Sequence, residues 1–287
     1  MKKMSMATKM RGAAAAAAAA VLAAACGRAE ATPAKAADAA PRVVTVVARD
    51  FAFEAPDQVP AGLVTFRLEN RGQALHHMQL MRLDGGKTLQ DVYASLQAGG
   101  PPPAWLHEVG GPNAPDPGAD ANATVLLQPG TYALLCFVDI PDHVPHVMKG
   151  MARLLTVTPA LAPAAMAVPT GDVTLTLNDY SFALSRPLTA GTHTILVRNG
   201  AAQPHEVELI RMAPGKTVND LMAWMQSMQG PPPASAIGGI AGMERGQVQS
   251  FTTSFTPGTY VMICFVPDAG DGKPHFMHGM VQSFTVS

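Results

Sequence analysis

The stretches PGTYALLCFV (129–138) and PGTYVMICFV (257–266) are two readings of one strand. In each, Pro-Gly breaks the preceding element, and a Tyr-led apolar run follows that ends on a cysteine, Cys136 or Cys264. A run of aromatic and aliphatic residues bounded by turn formers reads as a strand buried in a sheet. Because the strand occurs twice, the chain holds two copies of one unit. Working backwards, GLVTFRLEN (62–70) matches GTHTILVRN (191–199), and both alternate apolar and polar residues as a half-buried strand does. A further strand follows in each copy, over 75–83 and 205–212.

Between these strands and the cysteine strand, Gly-Lys-Thr opens a helix in each copy. Thr88 with Asp91, and Thr217 with Asp220, have the spacing of an N-terminal cap. Leu89, Val92 and Leu96 share one face, as do Val218, Leu221, Met222 and Met225. Triple prolines, Pro101 to Pro103 and Pro231 to Pro233, end both helices. The expected fold class is therefore all-β, with two tandem antiparallel β-sandwiches, each with an inserted helix that covers part of a sheet.

Composition agrees. The 287 residues are 48% hydrophobic and only 14% charged, enough for two packed domains. A formal charge of −1, with no basic cluster beyond the first dozen residues, excludes a nucleic-acid surface. The N-terminus reads as a signal peptide over 1–25: Lys2, Lys3, Lys9 and Arg11 precede an apolar run from Ala13 to Ala25. That run is too short to span a bilayer as a mature helix, and no other stretch is long enough. An Ala/Pro-rich tether (26–41) leads to the first domain (42–158), a second Ala/Pro linker (159–171) and the second domain (172–287).

Each copy then offers His, Cys, His and Met in the same order. His76 lies six residues after Asn70, and His205 six after Asn199. Pro145-His146 and Met151 follow Cys136, while Pro274-His275 and Met280 follow Cys264. Thiolate and thioether are soft donors suited to copper, and imidazole serves both copper oxidation states. One Cys, two His and a thioether are not a usual tetrahedral zinc set.

The order of these donors, the Pro-Gly-Thr-Tyr entry and the Pro-His-x4-Met ending resemble the cupredoxin (blue copper) family. The resemblance implies Greek-key β-sandwiches and a type 1 copper in each domain. The implied ligands are His76, Cys136, His146 and Met151 in one domain, and His205, Cys264, His275 and Met280 in the other. His77 is an alternative to His76, and His143 to His146; His278 also lies close by. The Cys-to-His loops hold nine and ten intervening residues, longer than in simple blue copper proteins and similar to copper nitrite reductase. His77 and Glu206 stand where that family usually has a small polar residue tying the ligand loops together. His107 and His193 have no counterparts and read as surface residues.

No His flanks either cysteine: the neighbours are Leu135 and Phe137, and Ile263 and Phe265. The catalytic copper of linked cupredoxin enzymes therefore lacks its ligands, and hydrolase motifs are missing. The expected function is an exported, non-enzymatic electron carrier serving an unknown redox partner protein. The alternatives are a copper delivery or storage protein, for which the 17 Met speak, and a metal-free interaction module. Ala23-Ala24-Ala25-Cys26-Gly27 resembles the bacterial lipobox, although Leu22 lies four places before Cys26 where that motif has Leu at three. It implies lipidation at Cys26 and anchoring on the periplasmic or cell-envelope side, with the lipid as the only membrane contact.

Overall fold

A computed structural model describes residues 40–139, 142–160 and 171–287. The signal peptide, Cys26, nearly all of the tether and most of the 159–171 linker lie outside the described residues. The first repeat contributes β1 (Arg42–Arg49), β2 (Ala52–Glu54), β3 (Gln58–Pro60), β4 (Gly62–Asn70), β5 (Gln79–Leu83), α1 (Leu89–Ala98), β6 (Leu106–Gly110), β7 (Asp120–Leu127), β8 (Gly130–Leu135) and β9 (Ala152–Thr158). The second contributes β10 (Val173–Asn178), β11 (Ser181–Leu184), β12 (Gly191–Asn199), β13 (His205–Met212), α2 (Val218–Ser227), β14 (Ala234–Met243), β15 (Val248–Phe255), β16 (Gly258–Ile263) and β17 (Val281–Val286).

These strands form two large sheets. One runs β2-β1-β4-β7-β15-β12-β10-β11, and the other β3-β9-β8-β5-β6-β14-β13-β16-β17. Each order is nearly a palindrome of repeat equivalents, with the seam at β7·β15 and at β6·β14. The repeats are thus joined edge to edge, through Thr124 opposite Ser250 and Val109 opposite Met243. Bridges from Pro112 to Ile240 and from Pro115 to Ile237 continue the seam. Joining the edges hides backbone groups that two separate sandwiches would leave as exposed strand edges.

The sheets are mixed rather than purely antiparallel. β1 runs parallel to β4, β10 parallel to β12, and β3 parallel to β9. The expected strand over 75–83 is shorter, starting at Gln79. Facing that segment is Pro112, whose carbonyl accepts the Met78 amide at 3.0 Å but which has no N–H to extend a ladder. His76 consequently sits in a loop.

Between the sheets lies a core in which Phe66, Leu68, Leu80 and Leu134 are fully buried. Burying such side chains contributes about 1.5–3 kcal/mol each, so the sandwich is the source of rigidity for whatever it carries. Both helices begin at the predicted caps, where Thr88 and Thr217 each close a capping box with the Asp three residues on. α1 lays Leu89, Val92 and Leu96 on Met81, Leu83 and Leu135 of the outer face of the second sheet, in one cluster with Val147 of the 146–149 turn. α2 does the same with Val218, Leu221, Met222 and Met225.

Candidate metal centres

In each repeat one end of the sandwich gathers three buried donors. His76, Cys136 and His146 form one group, with ligand atoms all within 4.8 Å of one another, and His205, Cys264 and His275 form the other. Cys136 Sγ lies 4.0 Å from His76 Nδ1 and 3.5 Å from His146 Nδ1, and the two ring nitrogens are 3.1 Å apart. In the second repeat Cys264 Sγ lies 3.8 Å from His205 Nδ1 and 3.4 Å from His275 Nδ1. Both cysteines are free thiols.

Local sequence explains how each donor is placed. The cysteines cap the ends of β8 and β16, strands pinned in mid-sheet. Each downstream histidine starts a short 3-10 turn, His146–Lys149 or His275–His278, behind a proline that stops any earlier helical turn. Gly150 and Gly279 end these turns with φ of 99° and 100°, the left-handed region that glycine enters without strain. The chain then doubles back, so that the Met151 amide donates to the His146 carbonyl and the Cys136 amide to the Met151 carbonyl, at 3.0 and 3.3 Å. Met280 stands in the same relation to His275 and Cys264, at 3.0 and 3.2 Å. Both methionines are fully buried.

The upstream histidines are held from the other side. Asn70 turns the loop before His76: its Oδ1 accepts the Gly72 amide, and its Nδ2 donates to the Ala74 and Pro115 carbonyls. Asn199 does the same for Ala201, Gln203 and Met243. His76 Nε2 donates to Asp50 Oδ1 at 2.7 Å, and His205 Nε2 to Asp179 Oδ1 at 3.0 Å. A Cβ on Gly72 would run into both the Asp50 carboxylate and the His76 ring.

Asp50 and Asp179 were not among the sequence-derived site residues. A signal was there, since Asp50-Phe51 and Asp179-Tyr180 each precede their histidine by the same 26 positions. The aromatic neighbours close the centres: the Phe51 ring lies 4.8 Å from that of His146, and Tyr180 5.5 Å from that of His275.

Protonation follows from this geometry. Burial drives His76 and His205 below the ordinary imidazole range against the pull of Asp50 and Asp179, and it pushes His275 down to about 4, with His205 adding to the effect. Burial opposes ionisation of Asp50, yet the Gln73 amide, His76 and the Ala74 amide outweigh it and keep the carboxyl below its usual range. A neutral imidazole that gives its Nε2 proton to a carboxylate leaves a lone pair on Nδ1, the atom facing the cysteine sulfur. Burial pushes the Cys136 thiol up to about 12 and raises Cys264 as well, with Glu206 contributing there. Without a cation the sulfur therefore stays protonated, and a soft metal that displaces the proton completes a donor set suited to copper.

The remaining candidates lie elsewhere. His77 is buried, but its Nε2 accepts the Phe137 amide at 2.8 Å and is outside the donor group. Glu206 has the equivalent role, accepting the Phe265 amide at 2.8 Å. Both residues thus tie the loop after the first histidine to the residue after the cysteine, although neither is small. His143 is exposed. His278 joins Asp268 and Asp271 in a more exposed group and bonds Asp271 at 3.1 Å. His193 is not the expected surface residue: it is buried, with its ring held by Asp172, by Thr189 Oγ1 and by the Thr189 carbonyl. His107 is partly exposed and bridges Asp84 and Glu244.

Each repeat of this two-sheet β fold thus carries one buried His, Cys, His group, a donor set that suits copper. Among solved structures, a dithionite-reduced auracyanin from Roseiflexus castenholzii aligns with 42% of this chain and 100% of its own at 24% identity and TM-score 0.28. Auracyanin A of Chloroflexus aurantiacus, a "blue" copper protein, aligns with 41% of this chain and 99% of its own at 22% identity and TM-score 0.30. A blue copper oxidase from Nitrosomonas europaea covers 86% of each chain at 16% identity and TM-score 0.27. No protein-family model matches the chain, and neither does any curated protein.

Proposed function

We propose that this chain is an exported copper-binding electron carrier with a type 1 copper in each repeat, held by His76, Cys136, His146 and Met151 and by His205, Cys264, His275 and Met280. The observation that carries the reading is the duplicated set of buried Nδ1, Nδ1 and Sγ atoms, each upstream imidazole fixed through Nε2 by an aspartate. A donor set locked into a packed sandwich moves little when its charge changes, which favours electron transfer over metal hand-off. With Leu135, Phe137, Ile263 and Phe265 beside the cysteines, no histidine reaches from either centre to a catalytic copper, so the chain acts as carrier and not as enzyme. Its basic start, short apolar run and Cys26 support export and a lipid anchor, with a redox partner protein met at the cell envelope.

Copper titration of the purified protein with visible spectroscopy tests this. The carrier takes up two equivalents with a strong thiolate-to-copper band, and Cys136→Ser or Cys264→Ser each removes about half of it. Stoichiometric but colourless Cu(I) binding favours delivery instead. No retained copper, or a Cys136–Cys264 disulfide in the native protein, overturns both.

A further inference from the structure

The turns that carry the downstream histidines end differently: Lys149 closes the first and His278 the second. Lys149 Nζ bonds Asp142 Oδ1 at 2.8 Å and lies 4.6 Å from the centre of the Phe51 ring, so the first repeat places its own cation there. In the second repeat the His278 ring lies 5.1 Å from that of Tyr180, and its Nε2 stands 3.1 Å from Asp271 Oδ1. Asp268 completes a group in which one donor atom from each residue lies within 4.8 Å of the others. Adjacent donors on a tetrahedral zinc, each about 2.0–2.2 Å from the ion, stand roughly 3.3 Å apart, so little need move to take one. Both carboxylates are held in place, as ligating carboxylates are. Asp268 Oδ2 accepts the Tyr180 hydroxyl at 2.5 Å and the Gln203 side-chain amide at 2.9 Å. Its Oδ1 accepts the Gly270 and Asp271 amides at 2.7 and 3.2 Å. Asp271 Oδ1 accepts the Lys273 amide at 3.0 Å, while its Oδ2 pairs with the exposed Lys273 ammonium at 3.0 Å.

A second, independent observation comes from His275. The residue has no exposed surface, and its Nε2 has no hydrogen-bond partner among the described residues. Asp268 Oδ2 lies 3.7 Å from that nitrogen, too far for a hydrogen bond. With Nδ1 turned to the Cys264 sulfur, the ring proton belongs on Nε2. A buried N–H facing a carboxylate across such a gap suits an oxygen held between them, and water on a cation supplies one. We propose that Asp268, Asp271 and His278 bind a divalent cation of the zinc type, whose bound water accepts the His275 Nε2 hydrogen bond. Two carboxylates and an imidazole suit such a borderline ion; the absence of sulfur from the set disfavours Cu(I), and the imidazole disfavours calcium. The ion's charge stands beside the second centre alone. Its effect there rests on the reading of that centre as redox copper: a positive charge beside His275 favours the reduced ion and raises the potential.

The test uses the full chain and Zn2+ alone. Calorimetric titration counts the zinc bound. His278→Lys, which gives the second repeat the cation of the first, and Asp271→Asn are each expected to bind one equivalent fewer than the wild type. Asp142→Asn, at the equivalent place in the first repeat, is expected to lose none. Counting by difference holds whether or not the thiol centres also take zinc. Should a variant fail to fold, long-range proton–nitrogen NMR of the wild type decides instead, through a saturable zinc-dependent shift of the His278 ring nitrogens. Equal zinc counts in all four proteins, or a His278 ring that zinc does not move, overturn the site. In the copper-loaded protein zinc is expected to raise the potential of one centre and leave the other unchanged, an effect lost in His278→Lys. Zinc bound at His278 with both potentials unmoved overturns the link to His275. Absence of blue absorbance overturns the carrier reading alone, because the zinc count does not depend on it.

Discussion

Replacing Glu206 by glutamine takes away the one carboxylate that burial places in contact with both the seam and the second centre. Burial raises this carboxyl from 4.5 to about 7, against the bonds it accepts from the Phe265 amide and Asn113. A folded-state value above the unfolded one means that the folded chain holds the proton more tightly. The associated stability is complete below about pH 4.5 and is lost as pH rises through about 7. At ~1.36 kcal/mol per pH unit the full loss is roughly 3 kcal/mol. Glu206 also helps to raise Glu108 and Glu208, on each of which burial acts first, so neutralising it relieves them too. Denaturant unfolding of the metal-free protein at about pH 5 and about pH 8 measures the effect. The wild-type chain is expected to lose roughly 2–3 kcal/mol more than Glu206→Gln between those conditions. Equal pH slopes for the two proteins would refute the reasoning, since they would mean that the carboxylate is ionised at no cost inside the seam.

Two further outcomes follow from the protonation of the centres. Because burial holds the Cys264 thiol protonated and keeps His205 and His275 below the ordinary imidazole range, copper uptake at the second centre should release about one proton, and apparent affinity there should rise about tenfold per pH unit above neutrality. Potentiometric titration during copper addition checks this, and no proton release would contradict it. Asp50→Asn and Asp179→Asn, which weaken the bond that orients His76 or His205, should each lower copper affinity about 10–100-fold at their own centre. Competition against a chelator reads the loss, and an affinity unchanged in both variants would show that packing alone orients the rings.

The repeat, its all-β character, the capped helices and the donors themselves were legible because each is a local or periodic property. Alternation marks β4 and β12, Thr-x-x-Asp marks the helix starts, and two copies of PGTY before a cysteine mark equivalent strands. What the sequence could not separate was His76 from His77, or His146 from His143. Neighbours in a chain share composition, and only the direction of a side chain tells a ring facing the cysteine sulfur from one facing the Phe137 amide. His193 misled for the same reason, because a histidine without a counterpart reads as exposed until Asp172 and Thr189 are folded around it.

The sequence by itself determined that two similar β units each carry His, Cys, His and Met in the same order. Only the tertiary structure decided that these units share their sheets, that Asp50 and Asp179 hold the His76 and His205 rings, and that Asn113 of one repeat bonds Glu206 of the other. Those relations depend on edges and side-chain directions set by packing between residues distant in sequence, which no local pattern encodes. The cysteine strand announces a donor, and the seam between the repeats sets which groups stand beside it.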